Sequence, residues 1–206
     1  MKPIRSSVTI LTKLNKKKIF KHIELCGRIC YKSENKINND SFNNFIRNLI
    51  SRKHESVIEH FSVSVKFICD RGVSHEIVRH RIASYSQEST RYCNYFNSGL
   101  VFVVPRKFSK NTHEYRIWFD SCMQCEKSYI NMIKIGLTPE SARSVLNNSL
   151  KTELIMTANL REWRHFLKLR TSKNAHPEIK ILSLELLERF KNKLPIVFDD
   201  IKADSA

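Results

Sequence analysis

The stretch from Arg79 to Tyr92 is the part of the chain richest in side chains that could bind a ligand and act on it. It holds three arginines, one histidine and one carboxylate, together with hydroxyl and amide side chains. Planar guanidinium groups hold phosphate through paired, charge-assisted hydrogen bonds. With almost no apolar residues beyond Ile82 and Ala83, the stretch is predicted to be a ligand-binding loop rather than the interior of a helix or strand. The alternative is a solvated surface loop whose arginines form salt bridges.

Basic residues dominate the whole chain of 206 residues. Lys and Arg number 36 against 20 Asp and Glu, which gives a formal net charge of +16. Such a surplus attracts anions, so nucleic acid, nucleotides and polyanionic small molecules are all candidate partners. An apolar fraction of 41% with only four glycines argues against a disordered or fibrous protein. The length, without an evident linker or repeat, predicts a single domain over residues 1–206.

The apolar runs and the cysteines indicate the compartment. No run is long enough for a signal peptide or a membrane span, so a cytoplasmic protein without a membrane segment is expected. The six cysteines are expected to be reduced. A zinc site made by Cys122 and Cys125 with Cys26 and Cys30 is an alternative, but the spacing is poor and no metal is expected.

Apolar periodicity predicts the elements that would position the polar residues. Alternating apolar and polar residues from Phe61 to Phe67 predict a strand that ends near Asp70. A helix should follow and present Arg79–Arg81 at its C-terminal end, where the helix dipole favours cations. The other predicted strands are residues 4–11, 100–104 and 150–157, and the other predicted helices are residues 16–31, 41–50, 112–135, 138–145, 159–169 and 178–193. Residues 150–157 also fit a helix, but their β-branched side chains favour a strand. Helices and strands without regular βαβ alternation predict an α+β fold, with a mixed sheet flanked by helices.

Several common catalytic and nucleotide-binding patterns are missing. The chain has neither the glycine-rich fingerprint of a Rossmann fold nor a P-loop, so arginines and helix termini would have to hold any dinucleotide. Cys93, close to Arg91, is better explained as a packing residue than as a nucleophile. His54, Glu59 and His60 precede the strand 61–67 without the spacing of a metalloprotease helix, so capping roles compete with ligand binding.

Motifs in three parts of the chain resemble the flavin-dependent thymidylate synthases. The first part holds Arg79-His80-Arg81, with Ser89 after a seven-residue gap, and the overlapping run Gln87–Tyr92. The second is the group His54, Ser56 and Glu59 before a strand. The third is Arg143 followed by Asn159-Leu160-Arg161 and Arg170. Together these matches cover most of residues 54–180, which makes chance agreement a poor explanation.

The resemblance implies a fold like that family's and a specific reaction. Its members convert dUMP to dTMP reductively, with 5,10-methylenetetrahydrofolate as one-carbon donor, FAD as carrier and hydride donor, NADPH as reductant and no cysteine nucleophile. It also implies a homotetramer with shared active sites and no nucleic-acid or membrane partner. The alternatives are a basic nucleic-acid-binding module using the helix Arg161 to Arg170, and a flavin scaffold without activity.

The resemblance also implies roles for individual residues. Arg170 resembles the catalytic arginine that stabilises the ionised uracil. The residues that resemble flavin ligands are His54, Ser56, Glu59, Arg79, His80, Arg81, Gln87, Asn159, Arg161 and His165. The residues that resemble dUMP ligands are Glu76, Arg79, Gln87, Glu88, Ser89, Thr90, Arg91, Arg143 and Arg170. Glu76, Gln87 and His165 differ from the residues of some members, which puts those three contacts in doubt.

Overall fold

The structure, a computed structural model, describes residues 1–203 and has an α+β fold with helices flanking two sheets, as predicted. The strands are β1 (Lys2–Ile4), β2 (Ser7–Ile10), β3 (Ser62–Asp70), β4 (Ser84–Gln87), β5 (Val101–Val103) and β6 (Lys151–Asn159). The α-helices are α1 (Lys16–Ile29), α2 (Ser41–Ser51), α3 (Arg71–Ile77), α4 (His113–Lys134), α5 (Pro139–Ala142), α6 (Leu160–Arg170) and α7 (Pro177–Lys193). Short 3-10 helices cover Glu34–Lys36, Glu55–His60 and Arg143–Val145. Over the described residues, no helix combines the length and the apolar character needed to cross a membrane.

The strands form a two-stranded and a four-stranded sheet. β1 and β5 pair in parallel, with Lys2 opposite Val101, and the larger sheet has the order β2-β3-β6-β4. Burial alternates along β3 and β6, so each strand presents one apolar face to the core, as the alternation in Phe61 to Phe67 predicts. The prediction that Arg79 to Tyr92 contains no strand is wrong at β4. This polar segment is a strand because backbone pairing at the sheet edge does not require apolar side chains.

Two predicted element boundaries also need correction. The predicted strand 4–11 is divided into β1 and β2 at Arg5, whose guanidinium donates to the carbonyls of Val104, Pro105 and Phe108 at 3.2, 2.6 and 2.9 Å. α3 ends at Ile77, so Arg79–Arg81 follow the helix instead of forming its last turn. The hydroxyl of Tyr85 donates to the Ile77 carbonyl at 3.0 Å and satisfies an acceptor left unpaired at the helix end.

The contacts divide the chain into two compact units. The first comprises Met1–Ser7, Lys66–Arg79 and Tyr85–Ile155, and the second comprises Val8–Val65, His80–Ser84 and the chain from Met156 onward. The core of the first unit contains Phe102, Trp118 and Tyr129. The core of the second contains Trp163, whose indole donates to the Val63 carbonyl at 2.9 Å. These contacts do not test whether the two units fold together, so the single domain over residues 1–206 stays a prediction.

Gly27 lets α1 approach its neighbours in the second unit closely. A Cβ at this position would lie 2.6 Å from Cζ of Phe45, on α2, and 2.9 Å from Cγ1 of Val57, in the 3-10 helix Glu55–His60. Both distances are shorter than van der Waals contact. Glycine in the middle of α1 therefore has a packing role that outweighs its cost in helix stability.

Candidate active site

The candidate site residues form two groups, one in each compact unit. The group in the first unit comprises Glu76, Arg79, Gln87, Glu88, Ser89, Thr90, Arg91 and Arg143. The group in the second unit comprises His54, Ser56, Glu59, His80, Arg81, Asn159, Arg161, His165 and Arg170. Most of the residues expected to bind the nucleotide thus belong to the first unit, and most of those expected to bind the flavin belong to the second.

A cleft of about 450 Å³ in the second unit is built around the start of α6. Asn159 ends β6 and caps α6, its side-chain oxygen accepting from the Glu162 amide at 2.9 Å. Because α6 begins immediately after β6, side chains from successive turns of α6 line the cleft. The lining residues are Glu55, Glu59, Ile82, Asn159, Arg161, Glu162, His165 and Lys168.

His54 and Ser56 line a different pocket from Glu59, Asn159, Arg161 and His165. This pocket, of about 590 Å³, lies beside α1, α2 and the start of the 3-10 helix Glu55–His60. Its charged lining residues are all cationic: Arg28, Lys36 and Arg52. Glu59, at the other end of the same 3-10 helix, lines the first cleft.

Ion pairs balance the charges of the first cleft. Arg161 donates to the Glu59 carboxylate at 2.5 Å, and Lys168 lies 3.6 Å from the Glu55 carboxylate. Both cationic side chains are about half exposed. An exposed pair such as Arg161–Glu59 contributes about 1 kcal/mol or less, so an anionic ligand could replace Glu59 at small cost. Glu55 is only 16% exposed and also accepts from Arg164, so it is held more firmly.

Arg170, which is partly buried, and the buried residues His80 and Glu162 form a chain of polar contacts. Nε of Arg170 donates to Nε2 of His80 at 3.0 Å, and a carboxylate oxygen of Glu162 lies 3.4 Å from Nδ1 of His80. The side chains of His80 and Glu162 are only 4% and 8% exposed. The His80 ring also packs on Phe166, with 4.7 Å between ring centroids. Burial raises the pKa of Glu162, and the nearby His165 offsets this only in part.

Glu162 was not among the residues that the sequence indicated. An acid in the first turn of a helix normally interacts with the helix dipole and the solvent, and this ordinary position conceals the residue. Whether the Glu162 side chain faces solvent or the interior depends on the path of residues 80–84, which are distant from Glu162 in the sequence. No local pattern in the sequence reports that path.

His80, Glu162 and His165 also form the one group of potential metal ligands found among residues 1–203, with ligand atoms within 4.8 Å of one another. A histidine that binds a metal usually donates the N–H of its other ring nitrogen to an acceptor. Nε2 of His80 instead accepts a hydrogen bond from Arg170. This direction favours a hydrogen-bond chain over metal ligation.

Arg164 is a buried cation that the sequence did not single out. Its side chain is 1% exposed and donates to Asp200 at 2.6 and 2.7 Å, to Glu55 at 3.0 Å and to the Val197 carbonyl. The hydrogen bonds to Asp200 and Glu55 outweigh the effect of burial and raise the pKa of Arg164 further.

The basic residues of α6 do not form an open cationic face. Arg161 pairs with Glu59 and Lys168 with Glu55, Arg164 is buried against Glu55 and Asp200, and Arg170 donates to His80. A phosphate backbone needs accessible cations along one surface. α6 therefore offers a phosphate backbone only the half-exposed cations of Arg161 and Lys168, fewer than the nucleic-acid-binding helix of the alternative function would need.

Gln87 and Glu88 anchor the polar loop of the first unit. The Gln87 amide donates to Ser74 at 2.9 Å and to Thr152 at 3.2 Å. The Glu88 carboxylate accepts from the Tyr95 hydroxyl and from Lys151, both at 2.9 Å. Burial alone would lower the pKa of Lys151, but its hydrogen bonds to Glu153 and Glu88 leave that pKa raised.

The next residues of this loop are better placed to meet a ligand. Arg143 donates to the Thr90 hydroxyl at 3.5 Å. The hydroxyl oxygen of Ser89 accepts from the Arg91 amide at 3.2 Å. The Arg91 guanidinium pairs with Glu140 at 2.9 Å, and both side chains are about half exposed. Arg79 and Arg81 are exposed in the turn that follows α3.

Comparison with known proteins gives consistent matches. Residues 13–196 match the family model described as thymidylate synthase complementing protein. A flavin-dependent thymidylate synthase of Geobacter sulfurreducens is 38% identical over 187 residues, which cover 86% of this chain and 80% of that protein. One from Mycobacterium avium is 33% identical over 198 residues, which cover 87% of this chain and 78% of that protein.

A solved structure has the same fold. The UMP/dUMP methylase PolB from Streptomyces cacaoi, bound with 5-Br dUMP, superposes with a TM-score of 0.80 at 22% sequence identity. The match covers 97% of this chain and 96% of that chain. At this identity the likeness establishes the shared fold.

Proposed function

This chain belongs to the flavin-dependent thymidylate synthase family, and we propose that it methylates dUMP reductively to dTMP. In this proposal 5,10-methylenetetrahydrofolate is the one-carbon donor and NADPH is the reductant. FAD, when bound, supplies the chemistry of one-carbon and hydride transfer. The identities of 38% and 33% to named flavin-dependent thymidylate synthases support extending their reaction to this chain.

The observation that carries the proposal is the fixed guanidinium of Arg170. Its Nε–H is held by His80 at 3.0 Å, so the position of the cation is set before any ligand arrives. A preorganised cation stabilises negative charge that develops during a reaction without reorganising at that moment. We propose that Arg170 is the catalytic residue, and that it stabilises the ionised uracil so that C5 becomes nucleophilic.

The donors of the second unit fit an anionic dinucleotide such as FAD. Arg161 and Lys168 supply half-exposed cations to the cleft, and a diphosphate can displace Glu59 from Arg161 at small cost. The side-chain oxygen of Asn159 caps α6, which leaves its NH₂ group to meet a ligand. The residues we propose to hold FAD are His54, Ser56, Glu59, Arg79, His80, Arg81, Gln87, Asn159, Arg161 and His165.

The polar loop of the first unit fits a nucleoside monophosphate. The hydroxyls of Ser89 and Thr90, with the guanidinium groups of Arg91 and Arg143, offer donors suited to a phosphate dianion. Gln87 and Glu88 are already engaged within the unit, so we propose that they act by shaping this loop. The residues we propose to contact dUMP are Glu76, Arg79, Gln87, Glu88, Ser89, Thr90, Arg91, Arg143 and Arg170.

The two buried thiols, Cys69 and Cys122, are poor candidates for a cysteine nucleophile. Burial raises the pKa of Cys69 to about 12 and that of Cys122 to about 11. Thiols with such values are almost entirely protonated at neutral pH and are poor nucleophiles. In the proposed reaction no enzyme sulfur attacks the uracil.

We further propose that the protein is a cytoplasmic homotetramer with shared active sites, acting on nucleotide and folate rather than on nucleic acid. Large apolar side chains at the surface support assembly. Among them are Ile117, on α4, which is 59% exposed, and Ile135, just after α4, which is 78% exposed. Burial of such side chains between subunits would be favourable.

The decisive experiment measures thymidylate formation by the purified protein. We expect a yellow protein that releases tritium from position 5 of labelled dUMP only when FAD, NADPH and methylenetetrahydrofolate are all present. A flavin-bound protein without tritium release would indicate an inactive scaffold. A colourless protein that binds nucleic acid in a salt-sensitive way would overturn the proposal.

A further inference from the structure

We propose that Glu162 is a positioning residue that keeps the ring proton of His80 on Nδ1 and so holds Arg170 in place. The inference rests on the proposed function, in which Arg170 stabilises the ionised uracil. Glu162 lies in the first turn of α6, and Arg170 is the last residue of the same helix. His80, which lies between the two side chains, connects them.

The hydrogen bond between Arg170 and His80 fixes the form of the imidazole. An arginine side chain has only donors, so Nε2 of His80 must present a lone pair to the Arg170 Nε–H at 3.0 Å. A neutral imidazole with a lone pair on Nε2 carries its proton on Nδ1. The other tautomer, or the imidazolium, would place an N–H against the arginine N–H and break the bond.

Glu162 is placed to select that tautomer. Its carboxylate oxygen lies 3.4 Å from Nδ1 of His80, slightly beyond the usual hydrogen-bonding distance but close enough for its negative charge to favour a proton on Nδ1. An ionised carboxylate can only accept, so it favours a proton on Nδ1. The burial of both side chains limits competition from water, and Phe166 packs against the imidazole ring.

A purely structural role explains Glu162 less well. Acids in the first turn of a helix are usually stabilising when they are exposed to solvent. Glu162 is 7% exposed, and burial raises its pKa, so its ionised form costs stability. A buried carboxylate that costs stability and faces a histidine is expected where function requires it.

The test compares Glu162→Gln with a matched control, Glu178→Gln. Glutamine has the same shape but can donate as well as accept, so it no longer enforces one tautomer. Glu178 is 8% exposed at the start of α7, and its substitution removes an equally buried carboxylate elsewhere. The readouts are nitrogen-15 NMR of histidine-labelled protein, with the His80 signals assigned through His80→Asn, and steady-state kinetics.

In the wild type we expect the His80 proton on Nδ1. In Glu162→Gln we expect a measurable fraction on Nε2, with kcat lowered about tenfold and the KM for dUMP changed less than about twofold. Glu178→Gln should change neither the tautomer nor kcat. A structural role would instead lower the melting temperature of Glu162→Gln without moving the proton.

Two results would overturn the inference: an unchanged His80 tautomer in Glu162→Gln, or a changed tautomer with unchanged kcat. If the wild type forms no thymidylate, the proposed function fails, and the NMR comparison still decides whether Glu162 sets the position of the His80 proton.

Discussion

At the scale of residues, the guanidinium of Arg170 is stabilised from two sides. It ends α6, where the partial negative charge of the helix terminus favours a cation, and its Nε donates to His80. Such fixed placement is valuable for catalysis because it avoids reorganisation when charge develops.

Arg170→Ala should therefore lower tritium release about 100-fold or more while leaving the fold intact, since the side chain is only partly buried. Circular dichroism and the release assay measure the two effects. Arg189→Ala, which removes an arginine from an exposed pair with Glu185, serves as the control. Turnover by Arg170→Ala equal to that of the control would refute the catalytic role.

Glu162→Gln should stabilise the protein in a pH-dependent way. Burial raises the folded-state pKa of Glu162 above the ordinary value of a glutamate, so the folded state holds this proton more tightly than the unfolded state. Its contribution to stability is full below the unfolded pKa and is lost as the pH rises through the folded pKa. We expect Glu162→Gln to melt about 2 °C above the wild type near pH 7 and to match it near pH 4.

Scanning calorimetry at several pH values measures this difference. A gain in melting temperature that is the same at acidic and neutral pH would show that the ionisation of Glu162 is not its cause.

At the scale of elements, Arg164 connects three parts of the second unit: α6, the 3-10 helix Glu55–His60 and the segment that contains Asp200. It does so from a fully buried position. Removing the Arg164 charge leaves Glu55, which is 16% exposed, with Lys168 as its remaining cationic partner, and returns Asp200, which is 45% exposed, to solvent. The loss should exceed that of an exposed pair because Arg164 itself is buried.

Arg164→Met should lower the free energy of unfolding by about 3 kcal/mol, measured by urea denaturation. Arg189→Met, on α7, breaks a pair whose side chains are 45% and 34% exposed and should cost less than about 1 kcal/mol. Equal losses for the two variants would mean that burial of the Arg164 cluster does not contribute to stability.

Elements with a regular apolar pattern were predictable from the sequence. The alternation in β3 predicted a correct strand, and the helices predicted to begin at residues 112, 138 and 159 begin one residue later, after the caps Thr112, Thr138 and Asn159. These signals act within a few residues of one another. β4 and the end of α3 were not predictable, since pairing at a sheet edge and the Tyr85 hydrogen bond depend on partners elsewhere. For the same reason the sequence indicated Arg170 and His80 by motif but missed Glu162 and Arg164, whose partners are set by the fold.

At the scale of the whole molecule, the exposed apolar side chains of α4 and the proposed shared sites predict the molecular mass of the assembly in solution. We expect light scattering after gel filtration to give four times the 24.2 kDa of the chain. The tetramer should persist at micromolar concentration, because subunits that complete one another's sites require stable assembly. A mass of one chain at that concentration would contradict this expectation.

The interleaved path of the chain through its two units has a consequence for the gene. Each unit is encoded by several separated pieces, so no single cut in the coding sequence releases either one. A fragment from Lys66 to Ile155, for example, would lack β1, the strand that pairs with β5. A single recombination crossover therefore cannot transfer either unit intact to another protein, and the two units should be inherited together.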